Sequence, residues 1–102
     1  EGAHTIALSI PESAWTVGGR DPEMEQRRKE VNTFLEHEYS AVEAAGKCTY
    51  MAMDSAVPWS KGSADWEQDG LHMTRQGYEH FAAALAPQIQ SLLLQQQANI
   101  AC

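Results

Sequence analysis

His4-Thr5-Ile6-Ala7-Leu8-Ser9-Ile10-Pro11 is the stretch on which the fold turns. It is short, mostly apolar and rich in β-branched residues, and it ends at a proline, which suits a largely buried strand. A loop marked by Gly18 and Gly19 follows. Asp21-Pro22-Glu23 then has the signature of a helix start, with Asp21 as N-cap, Pro22 in the first helical position and acids in the first turn. Met24, Val31, Phe34, Leu35 and Val42 recur at helical spacing and predict an apolar stripe laid on a core, with Gly46 as the stop.

Tyr50 to Val57 resumes a strand pattern that Pro58 closes, and Pro58 to Asp69 reads as a loop. Thr74 should cap a last helix with Tyr78, Phe81, Leu85, Ile89, Leu92 and Leu93 on its apolar face. Pro87 should kink or divide that helix, and the Gln-rich tail from Gln95 should fray. The β-α-β-α order argues for an α/β fold with a parallel sheet. Two strands and two helices are too few to cover both faces of such a sheet, so strands on the N-terminal side are expected to be missing. The start directly on an apolar strand, without an initiator Met, reads the same way.

The chain has 102 residues, 43% of them hydrophobic and 21% charged, as in an ordinary globular protein and in one domain. Its net charge of -7 makes nucleic acid and anionic membrane surfaces poor partners. Arg27, Arg28 and Lys29 form a local basic cluster among Glu23, Glu25 and Glu30 and read as a solvated helix face. No apolar run is long enough to span a bilayer. Cys48 and Cys102 are too few for a disulfide framework, no C-x-x-C spacing is present, and Cys48 reads as a small buried hydrophobe. No metal or other cofactor is expected. His80, with Asp65 or Asp69 nearby in sequence, lacks an H-x-x-x-H partner and should lie on the last helix away from the loop. His4 and His37 read as strand-end and helix-surface residues.

The densest chemical signal is Asp69-Gly70-Leu71-His72-Met73-Thr74-Arg75-Gln76-Gly77-Tyr78. A carboxylate three residues before an imidazole, with a glycine between them, can fold back to accept a hydrogen bond from the ring. Asp69 would then fix the tautomer, and His72 would take a proton from a hydroxyl nucleophile and return it to a leaving alcohol. By spacing alone, Asp-x-x-His also describes a common turn in which the acid merely caps backbone groups. Trp59 and Trp66 read either as walls of a substrate pocket or as loop anchors.

With Gly70, Leu71, Thr74, Gly77 and Tyr78 in place, the block resembles the last conserved motif of the SGNH (GDSL-type) ester hydrolases. Ile6 to Glu12 is similar to that family's strand ending in Pro, Arg28 to Asn32 with Leu35 to its Arg-x-x-x-Asn helix, and Met51 to Asp54 to its last strand. Trp66 before the block also recurs in esterase members. The resemblance implies a flavodoxin-like three-layer α/β/α fold, of which residues 1–102 are the C-terminal portion of a single domain. It also implies ester hydrolysis through a serine acyl-enzyme, with Asp69 and His72 catalytic. The family's Gly-Asp-Ser nucleophile block and its oxyanion Gly and Asn blocks do not occur in the chain. Ser55, in Met53-Asp54-Ser55, lacks the preceding glycine, and Asn32 and Asn99 fall in helical or tail sequence. The expected partners are therefore the missing N-terminal half, on the same or a companion chain, and a small ester. The alternative is a non-catalytic interaction module of the same fold that associates through its uncovered surface.

Overall fold

A computed structural model of the chain describes residues 3–43 and 46–101. The elements are β1 (Thr5–Leu8), α1 (Pro22–Glu43), β2 (Cys48–Met51), α2 (Met53–Ala56) and α3 (Arg75–Ala101). β1 and β2 pair in parallel, from Thr5 opposite Cys48 to Leu8 opposite Met51. The architecture is mixed α/β, a two-stranded parallel sheet with three helices. β1 is only half covered, with Leu8 and Ile10 exposed, so the expectation of a largely buried strand does not hold. Among the described residues nothing covers these two side chains fully.

Asp21 caps α1 as expected, its Oδ1 accepting from the backbone N–H groups of Glu23 (3.1 Å) and Met24 (3.2 Å). The helix does not present the expected stripe. Met24, Val31 and Phe34 are exposed, Phe34 by 60%, whereas Glu25, Arg28, Asn32, Leu35 and Tyr39 are the positions turned inward. Those five recur at three and four residues, the spacing of one helix face. Val42, like Asn99 and Cys102, lies outside the residues whose side chains are described.

The inward face is polar because it clamps the end of β1. Asn32 brackets Ile10, accepting its N–H (2.8 Å) and donating to its carbonyl (3.0 Å). Arg28, only 6% exposed, donates to the same carbonyl and to the carboxylates of Glu25 and Asp54. This corrects the reading of Arg27, Arg28 and Lys29 as a solvated cluster: Arg27 and Lys29 face solvent, but Arg28 is the core of an ion-pair network. Arg28 also holds the Glu25 carboxyl below its ordinary pKa through the hydrogen bond between them.

The second strand is shorter than the Tyr50–Val57 pattern predicts. The partner strand is pinned at Ile10, so the ladder ends where Ser9 donates its N–H to the Met51 carbonyl (3.0 Å). The buried Ser9 hydroxyl then accepts the Met53 N–H (2.7 Å), and residues 53–56 close into α2. A small core of Met51, Met53, Val57, Trp66 and Ala14 gathers at this end of the sheet. Cys48 is half-buried on β2.

α3 passes through Pro87 undivided and continues through the Gln-rich stretch to Ala101. The tail therefore stays helical, in keeping with the strong propensity of Gln, Leu and Ala. Phe81, Leu85 and Leu92 are half-buried, while Tyr78, Ile89 and Leu93 are exposed. No described helix is long and apolar enough to cross a membrane.

Candidate active site

Residues 63–74 fold as an irregular hairpin delivered between α2 and α3. Trp66 and Met73 form an antiparallel bridge, and the Glu67 N–H donates to the His72 carbonyl (2.8 Å). Asp69 and His72 lie at its tip. Asp69 Oδ1 accepts the backbone N–H groups of Leu71 (2.9 Å) and His72 (3.0 Å), while Oδ2 lies 2.6 Å from His72 Nδ1. The two functions that spacing left as alternatives, turn cap and imidazole partner, are thus shared between the two oxygens of one carboxylate. The hydrogen bond from His72, reinforced by the two backbone donors, pulls the Asp69 pKa down to about 2.

An ionised Asp69 can only accept, so it selects the tautomer with the proton on His72 Nδ1 and leaves the Nε2 lone pair outward. His72 is 68% and Asp69 49% exposed by side chain, open to a reactant arriving from solvent or from another segment. Among the described residues no hydroxyl is hydrogen-bonded to the His72 ring. Ser55 lies on α2, its N–H donating to the Ala52 carbonyl, and Asn32 is consumed by Ile10.

Three contacts hold the turn from outside. The Ala14 N–H donates to the Gly70 carbonyl (2.8 Å), and the Arg20 guanidinium donates to the Asp69 carbonyl (3.3 Å) while lying 5.5 Å from the Trp15 ring centroid. Gly70 has a φ of 69° and is packed so closely on Ala14 that a Cβ there would collide with the Ala14 methyl. Both its conformation and its space require glycine.

Thr74 accepts the Gly77 N–H (3.2 Å) and donates its hydroxyl to the Ala64 carbonyl (2.6 Å), capping α3 as expected. Gly77 sits against the Asp65 carbonyl with no room for a side chain.

His80 departs from expectation. Rather than standing away from the loop, its Nδ1 lies 3.0 Å from Asp65 Oδ2, and Gln76 donates to Asp65 Oδ1 (2.9 Å). His80, in the second turn of α3, stands above the segment that Thr74 and Gly77 anchor. These hydrogen bonds, Gln76 foremost, hold the Asp65 carboxyl below its ordinary pKa. Sequence reading weighs His80 with Asp65 only as a metal site and places His80 away from the loop, because nothing in the spacing 65 to 80 marks the hydrogen bond between them. No cluster of three or more metal-ligating side chains occurs among the described residues.

Two hollows flank the turn. One, of about 420 Å³, is lined by Trp59, Trp66, Arg20, Lys61 and Glu67. Trp66 is 6% exposed and donates its indole N–H to the Pro58 carbonyl (3.0 Å), so it anchors the loop; Trp59 is half-buried. The other, of about 430 Å³, is an apolar groove that includes Ile10, Pro11, Trp15, Met24 and Leu71. Sequence reading did not find this groove. Its one legible sign was an aromatic, Trp15, in the loop after a strand ending in proline.

Comparisons with protein-family models, curated proteins and solved structures find no match.

Proposed function

We propose that the chain supplies the acid–base half of a serine ester hydrolase of the SGNH type, in which His72 is the general base and Asp69 its orienting acid. The observation that carries this reading is the carboxylate of Asp69, which spends one oxygen fixing the turn and the other fixing the imidazole. The result is a preset Nε2 acceptor on a rigid support. On this reading the nucleophilic serine and the oxyanion donors belong to the N-terminal half of a flavodoxin-like domain, outside these 102 residues. His72 takes the serine proton as the serine oxygen attacks the ester carbonyl, then gives it to the departing alcohol. It repeats the cycle with water to release the acid.

The module reading draws on the exposed Leu8, Val31 and Phe34, which offer an interaction surface whether or not catalysis survives. Kinetics of the protein that carries this chain decide between them. His72→Ala should lower kcat/KM by about four to six powers of ten and Asp69→Ala by about two to four. His80→Ala should fall little below wild type, since Asp65 and Gln76 retain each other. Ester turnover indifferent to His72→Ala, or more sensitive to His80→Ala, would transfer the base to the Asp65–His80 pair or end the hydrolase reading.

A further inference from the structure

The apolar groove of Ile10, Pro11, Trp15, Met24 and Leu71 begins at the residue next to the candidate base. Leu71 is one of its walls, and Leu71 and His72 hang by their N–H groups from the same Asp69 oxygen. The backbone N–H of Trp15 donates to Ser13 Oγ (3.1 Å), and the Arg20 guanidinium lies beside its ring, 5.5 Å from the centroid. Met24 lies in the first turn of α1, directly after the Asp21 cap. The one charged side chain on the lining, Glu12, is engaged by the Trp59 N–H (2.8 Å). Across the turn, the other hollow sets Arg20, Ser60, Lys61 and Glu67 beside Trp59 and Trp66 and is mixed in character.

We infer that this groove is the acyl site: it takes the aliphatic chain of an uncharged ester and lays the carbonyl end toward His72. The inference rests on the hydrolase reading for its direction, but binding itself does not. With Glu12 and Asp69 at its margins, the groove disfavours a fatty-acid anion and favours a neutral chain. Its volume is in the range of small-ligand pockets. Each methylene buried in it should tighten binding by about fourfold.

The test uses N-methyl alkanamides of four to ten carbons, unreactive isosteres of esters, titrated below their aggregation limits into the protein that carries this chain and followed by amide and indole NMR shifts. The expected result is saturable binding that shifts Trp15, Leu71 and Met24, strengthens with chain length, and leaves the Trp59 and Trp66 indoles in place. Met24→Glu and, independently, Leu71→Glu should weaken the longest amide about tenfold or more, because each places a charge in the apolar lining. Circular dichroism checks that both variants keep the fold. His72→Gln should retain binding. Absence of a chain-length trend, shifts centred on Trp59 and Trp66, or indifference to both glutamate variants in folded protein would overturn the groove assignment. Groove binding combined with His72-independent turnover would instead overturn the hydrolase reading and leave the groove an alkyl site.

Discussion

Asp69 is the residue on which the site depends, and its ionisation can be followed directly. A carboxyl whose pKa is depressed in the folded chain stabilises the fold above its unfolded value near 3.8, and that stabilisation is lost as pH falls through the folded value. The Asp69 turn should therefore survive acidification that neutralises ordinary carboxylates. The side-chain carbonyl carbon of Asp69 should titrate near pH 2 by NMR. In His72→Ala it should move back toward the ordinary value, since the imidazole is the largest cause of the shift. A midpoint unchanged by that substitution would mean that the backbone donors alone hold the carboxylate. Gly70 makes the second residue-scale test. Gly70→Ala must adopt a positive φ and push Ala14 aside, at a combined cost of about 2–4 kcal/mol, readable as a lowered denaturant midpoint.

At the scale of elements, the clamp between α1, β1 and α2 concentrates on Arg28. Truncating Arg28 leaves the Glu25 and Asp54 carboxylates without their guanidinium partner and the Ile10 carbonyl with Asn32 alone, in a largely water-excluded place. Deeply buried pairs lose more, but Asp54 is 39% exposed, so Arg28→Ala should cost about 2–3 kcal/mol. Arg27→Ala, one residue away and solvent-facing, should cost less than about 0.5 kcal/mol. Thermal or urea unfolding of the two variants separates them, and equal losses would refute the clamp. This pair also shows why the basic cluster misled at sequence level. Three adjacent cations differ only in where the helix turns them, and that is set by the face that finds β1.

For the whole molecule, radius and surface both exceed those of a compact chain of this length. The radius of gyration is 15.9 Å, where a compact chain of this length has about 13 Å. The accessible surface is 6995 Å², against about 5,700 Å² for a compact 11.3 kDa protein. The excess includes Leu8, Ile10, Val31, Phe34, Leu93 and Leu94, and among the described residues β1 pairs with β2 alone. Purified alone, the chain should self-associate in sedimentation experiments or unfold at low denaturant. It should also show no ester hydrolysis above a buffer control. A compact monomer would contradict the first expectation, and turnover abolished by Ser55→Ala the second.

Local chemistry was legible without coordinates. Asp21 and Thr74 cap helices because capping needs only a side-chain oxygen and the next few backbone amides. The β-α-β order and the Asp69–His72 pairing are likewise matters of a few neighbouring residues. The tertiary structure alone decided which face of α1 is inward, where β2 gives way to α2, that His80 meets Asp65, and that Trp15, Met24 and Leu71 line one groove. Those outcomes depend on contacts between distant segments, and α1 shows the reason most clearly. Its apolar residues could have been buried, but pinning Ile10 with Asn32 and Arg28 turned a polar face to the sheet and left Phe34 in solvent.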